Sequence, residues 1–130
     1  MAKDYKGIGA TLNNIGLVHD ELGQLSKALE FYQKSLKIRE ENNDRIGVGT
    51  TLHNIALIYD QSKKYQQALE IYNQALVVRR EVNDKAGEAR TLNNIALVHN
   101  QLGNYPRALN FLQQALSIFT KLGYHVGEGN

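Results

Sequence analysis

The 130-residue chain contains no cysteine, which excludes a disulfide framework, thiol catalysis and thiolate metal sites. That absence suits a reducing compartment, and a cytoplasmic location is expected. Long apolar stretches are missing too: no run exceeds five residues, whereas a bilayer-spanning helix needs roughly 20. The opening residues MAKDYKGIGA carry no charged-then-apolar export signal, so no membrane partner is expected. Neither sign of charge dominates, since 15 Lys and Arg face 13 Asp and Glu for a net charge of +2. The two signs are interspersed rather than gathered into the basic patch that a nucleic-acid ligand requires, and no nucleic-acid partner is expected.

What the chain has in abundance is repetition. The forty residues from Thr11 to Thr50 recur as Thr51 to Arg90 and again as Thr91 to Asn130. Matched positions hold Asn14, Asn54 and Asn94, then Leu17, Leu57 and Leu97, then Ala28, Ala68 and Ala108. A fixed period of this length marks a repeat array, in which each unit buries its apolar face only by stacking on its neighbours. The whole chain, 1–130, is expected to be one such domain, with residues 1–10 as a partial repeat. KDYKGIGA at the start aligns with NDRIGVGT, and GYHVGEGN at the end falls at the same phase, so a longer parent array is expected.

Within each unit the apolar spacing predicts two helices. Leu12, Ile15, Gly16, His19 and Leu22 share one helical face, and Ala28, Phe31, Tyr32, Ser35, Leu36 and Ile38 share another after Gly23. Gly23 and Gly103 serve as helix stops, and Lys63 stands in their place in the second unit at some cost in local stability. Asp44 and Asp84 are positioned as N-caps, and Pro106 sits in a first turn, where a missing N–H is harmless. The expected helices are 5–22, 25–42, 45–62, 65–82, 85–102 and 105–121, with no competing strand pattern.

The positions Leu12, Ile15, Gly16, His19, Ala28 and Tyr32 follow the spacing of the tetratricopeptide repeat signature. Leu52, Ile55, Ala56, Tyr59, Ala68 and Tyr72 repeat it, as do Leu92, Ile95, Ala96, His99, Ala108 and Leu112. The chain therefore resembles that family over essentially its whole length. It departs from the usual pattern where Glu40, Arg80 and Thr120 replace the closing proline, and its period is longer than the usual one of about 34. Both departures resemble the long variant found in kinesin light chain and Pins/LGN proteins. The resemblance implies an all-α, right-handed superhelix of three helix-turn-helix units and a non-catalytic role in binding a protein or peptide.

Motifs with chemical potential reduce to packing. The Gly-x-Gly pairs at Gly7 and Gly9, Gly47 and Gly49, and Gly127 and Gly129 lack both the preceding strand and the third glycine of a dinucleotide loop. Glycine recurs with the repeat, at Gly7, Gly47, Gly87 and Gly127, so it reads as a point of close helix approach. His19 and His99 occupy the register of Tyr59 and read as packing residues. His53 has no ligand partner at suitable spacing on its helix, and His125 lies in the tail. No metal, no cofactor and no catalytic residue is expected, and none of Ser26, Ser35, Ser62 and Ser117 belongs to a nucleophilic constellation.

The face of each first helix turned away from the core is the candidate binding surface. With about 100° per residue, Ala10, Asn14, Leu17 and Glu21 point outward if Leu12, Gly16 and His19 point inward. Asn54, Leu57 and Gln61 follow on the second unit, and Arg90, Asn94, Leu97 and Gln101 on the third. Asn13, His53 and Asn93 flank this stripe, with Asp20, Asp60 and Asn100 beside it. The resemblance implies that this face lines a concave peptide groove. Asparagine is a mediocre helix former, yet it recurs outward three times, and a ladder of amides can bond an extended backbone. Asn54 is expected to contribute to binding and hardly to stability.

The co-chaperone type of the family grips a terminal carboxylate and would need basic residues at positions 13 and 94, where this chain has Asn13 and Asn94. Asp20, Glu21 and Asp60 instead make one end acidic and Arg90 the other mildly basic, which suits a peptide with a basic segment and apolar anchors. The alternatives are a structural spacer or self-associating array, and an RNA-binding helical repeat that would need basic or stacking residues outward. Self-association is expected through the last helix, where Phe111, Leu112, Leu116, Ile118 and Phe119 form an apolar patch. Phe119 there replaces Arg39 and Arg79.

Overall fold

A computed structural model of the chain describes residues 4–123. His125, Gly127, Gly129 and the closing stretch of the third unit lie outside the described residues. Six helices, each 17 residues long, follow one another: α1 (Tyr5–Glu21), α2 (Leu25–Glu41), α3 (Arg45–Gln61), α4 (Tyr65–Glu81), α5 (Lys85–Gln101) and α6 (Tyr105–Lys121). They match the expected boundaries to within one residue at each end. Among the described residues there is no strand, and no helix is long and apolar enough to cross a membrane.

Identical local chemistry starts and stops the helices in each unit. The carboxylates of Asp4, Asp44 and Asp84 accept hydrogen bonds from the amides of Gly7, Gly47 and Gly87 at 2.9, 3.1 and 2.9 Å. Each cap satisfies an orphan first-turn N–H and places negative charge at the positive end of the helix dipole. The hairpin turns are closed by Gln24, Lys64 and Asn104, whose amides donate to the carbonyls of His19, Tyr59 and His99. That bond requires the preceding residue to be left-handed, and Gly23 and Gly103 have φ of 76° and 80°. Lys63 adopts the same conformation at φ 61°, which costs a side-chain-bearing residue roughly 1 kcal/mol.

Each hairpin packs most closely within itself, and α2 and α4 then pack on α3 and α5. The core runs across those boundaries. Ala28 and Tyr32 of α2 meet Ile55 and Ile58 of α3, while Ala68, Tyr72 and Leu76 of α4 meet Leu92, Ile95 and Val98 of α5. Fully burying a Leu or Ile is worth about 2 kcal/mol, so part of each unit's stabilisation is held in common with a neighbour, as stacked repeats require. Gly16 lets the two helices of its hairpin approach closely: a Cβ there would stand 2.6 Å from the Tyr32 ring.

Candidate functional site

Two buried arginines bind the units together. On α2 and α4, the buried stripe that begins with Ala28, Tyr32 and Ser35, or Ala68, Tyr72 and Ala75, ends in Arg39 or Arg79. The Arg39 Nη1 donates to the Gly47 carbonyl at 3.1 Å and to Thr51 Oγ1 at 2.7 Å. Arg79 repeats the pattern on Gly87 and Thr91 at 2.9 and 3.0 Å. Each Nε lies near the N-cap carboxylate of the next helix, Asp44 at 3.7 Å and Asp84 at 3.9 Å. Burial lowers both guanidinium pKa values, and the Asp44 and Asp84 charges oppose that effect. Gly47 leaves room for this arginine, since an added Cβ would meet the Arg39 guanidinium at 2.6 Å. The expectation that the repeating glycines let a helix start approach the preceding helix holds at Gly47 and Gly87, where an added Cβ would meet the Arg stem of that helix beside the capping Asp; at Gly7 the nearest atoms are all those of Asp4, the cap of its own helix.

A second polar seam runs along the first helices. Asn54 Nδ2 donates to Asn13 Oδ1 at 3.1 Å, and Asn94 Nδ2 donates to His53 Nε2 at 2.9 Å. The other ring nitrogen, His53 Nδ1, lies 3.2 Å from Thr91 Oγ1 and 3.4 Å from Arg79 Nη1. Thr91 Oγ1 accepts from Arg79 and donates to the Gly87 carbonyl at 3.0 Å. The imidazole stands edge-on to Tyr72 with ring centroids 5.5 Å apart. Burial, with the positive charges of Arg79 and Arg90, pushes the His53 pKa down to about 4, so the ring is neutral at physiological pH.

The structure distributes the expected groove residues unevenly. Asn14, Leu17, Glu21, Gln61, Arg90, Leu97, Asn100 and Gln101 are exposed. Asp20, His53, Asn54, Leu57, Asp60, Asn93 and Asn94 are half-buried, and Asn13 is buried. Asn54 therefore differs from its expected role as a purely outward side chain: its amide is tied to the neighbouring unit and contributes to the junction. Leu57 packs against the core beneath the groove. Asp60 is fixed in the floor, accepting from Tyr72 Oη at 3.1 Å, and burial raises its pKa. Burial together with Asp60 raises Tyr72 strongly. The histidines read as packing residues do pack, with His19 stacked on Phe31 and His99 on Phe111, both at 5.4 Å.

At the α5–α6 end the groove opens into an apolar hollow of about 290 Å³ lined by Ala96, Leu97, Asn100, Tyr105, Ala108, Leu109 and Leu112. Tyr105 and Leu109 were not among the expected groove residues. Their signal was the strong apolar face of the last helix, assigned instead to self-association. Arg39 and Arg79 also escaped the sequence reading as functional partners, although their position at the end of the buried stripe of Tyr32 and Tyr72 marks them. Another surface hollow, about 580 Å³, lies away from this face between Asp4, Lys6, Arg39, Arg45 and Val82 and mixes both charges. Among the described residues no three His, Asp or Glu side chains gather at metal-binding distance.

The tetratricopeptide repeat model matches residues 47–121 and a second such model matches residues 9–42. Curated protein sequences give no significant match. Among solved structures, BtubC (BKLC) of P. vanneervenii is similar at 27% identity with a TM-score of 0.85, over 99% of this chain and 52% of that one. Aspartyl phosphate phosphatase F of Bacillus subtilis is similar at 20% identity and a TM-score of 0.89, over 95% of this chain and 32% of its own. The nearly identical TPR-like repeats assigned to a kinesin light chain of Podosopora anserina align at 16% identity and a TM-score of 0.74, over 94% and 59%. The last two likenesses concern the fold alone. The chain spans about half the length of the first relative and about a third of the second.

Proposed function

Because this chain belongs to the tetratricopeptide repeat family, we propose that it is a non-catalytic protein-binding module holding an extended peptide across α1, α3 and α5. The observation that carries this reading is the row of anchored amides. Asn54 and Asn94 each spend one N–H on the unit before them. A second N–H and the carbonyl oxygen remain on each amide, held at a fixed angle by that bond. Ordering the side chains in advance removes part of the entropic cost of binding. The row ends at the hollow around Leu97 and Leu109, which suits an apolar anchor residue of the ligand, while Asp20 and Glu21 at the other end suit a basic one. The lack of cysteine fits action in the cytoplasm.

The test starts from a peptide selected by display on the intact protein. Leu97→Glu, at a position 53% exposed, is expected to weaken that peptide at least about tenfold, in the range of a lost apolar anchor. Val77→Glu, on α4 and 57% exposed, is expected to leave it unchanged. Equal affinity of the Leu97→Glu protein and its parent would remove the groove from the mechanism.

A further inference from the structure

The apolar patch expected on the last helix is partly spent on the core, where Phe111, Ile118 and Phe119 pack, but the floor of the groove holds charge that nothing in the chain answers. Asn13 of α1 accepts from Asn54 of α3, and His53 of α3 accepts from Asn94 of α5. Asp20 and Asp60 stand two helical turns beyond Asn13 and His53 on the same faces, so each looks into an internal cleft, between α1 and α3 or between α3 and α5. Both are half-buried. Among the described residues no cation pairs with either, although a charge drawn partly out of water is costly until one does.

A second observation comes from beneath them. Tyr72 Oη donates to Asp60 at 3.1 Å, which holds that carboxylate in place through one of its two oxygens. Tyr32, at the same register beneath Asp20, is fully buried, and its hydroxyl has no hydrogen-bond partner among the described residues. Burial, and then the charges of Asp20 and Glu21, raise its pKa to about 12, so the unpartnered O–H lies near those carboxylates. A cation drawing Asp20 into the cleft would set it where Asp60 already stands and give Tyr32 its acceptor.

Taking the groove as the peptide site, we infer that its ligand is a polyproline-II segment carrying Lys or Arg at every third residue, one cation on Asp60 and the next on Asp20. The spacing of the helices selects the conformation. Packed neighbouring helices lie about 8 to 10 Å apart, and polyproline II advances about 9 Å in three residues and brings the third back to the same side. A β-strand returns to one side about every 7 Å, which misses the second carboxylate. Asn100 occupies the next place in the row, so two cations are selected and not three.

The experiment is fluorescence anisotropy of the full chain, at low salt, with a labelled peptide of three Arg-Pro-Pro triplets. That peptide is expected to bind at least about tenfold more tightly than its Glu-Pro-Pro counterpart, and about threefold more tightly than one of equal length and charge with arginine at every second residue. Asp20→Asn and Asp60→Asn are each expected to weaken it about fivefold or more. Glu70→Gln, the same change of charge at an exposed position on α4, is expected to leave it unchanged. Asparagine keeps an acceptor for Tyr72, circular dichroism checks the fold, and Asp20→Asn carries the test alone should Asp60→Asn disturb it. An arginine peptide that does not bind, equal affinity for the two arginine spacings, or indifference to both aspartate substitutions would each overturn the proposal. The groove reading fails separately, at Leu97: a display-selected peptide weakened by Leu97→Glu but untouched by the aspartate substitutions would overturn the cationic spacing alone.

Discussion

Acidification is expected to loosen the second junction through His53. The ring titrates at about 4 in the folded chain against 6.5 when free of it, because burial and the charges of Arg79 and Arg90 disfavour the imidazolium. Above pH 6.5 neither state holds the proton, so the ring adds no pH dependence. As the pH falls from 6.5 to 4 the unfolded chain takes up a proton that the folded chain refuses, and stability is lost at up to about 1.4 kcal/mol per pH unit. Between pH 7 and pH 4.5 the loss is about 2 kcal/mol, which lowers a urea midpoint by about 1 M for a slope near 2 kcal/mol/M. The comparison is with His53→Asn, since Asn13 shows that asparagine accepts at this register. Burial also lowers His99, and that contribution is common to both proteins. Urea midpoints of the parent and variant are expected to diverge by about 1 M on acidification; parallel curves would refute a neutral, desolvated His53.

Two other substitutions probe the junction and the turn. Arg79→Ala removes the donor to Gly87 and Thr91 and strands the Asp84 charge, and it is expected to cost about 3 kcal/mol in chemical denaturation. Lys63→Gly relieves the left-handed side chain in the one hairpin without glycine and is expected to raise stability by about 1 kcal/mol, whereas an unchanged or lower melting point would mean that the Lys63 side chain makes an offsetting contribution.

The sequence alone determined the architecture because the information needed was local and written three times. The period fixed the number of units, Asp44 and Asp84 fixed where first helices begin, and Gly23 and Gly103 fixed where the hairpins turn. The inward face was also legible, since Leu52, Ile55 and Ala56 fall on a single helical stripe. What a stripe on one helix cannot reveal is which polar residues belong to a junction between helices. Asn54 and Asn94 look outward on their own helices, and only the stacking of units brings them against Asn13 and His53, residues 41 positions earlier. Arg79 reads as one more surface charge until α5 closes over it and offers a carbonyl, a hydroxyl and a capping carboxylate. The tertiary structure decided these roles because desolvation and hydrogen-bond supply depend on three helices at once, and no single helix carries that information.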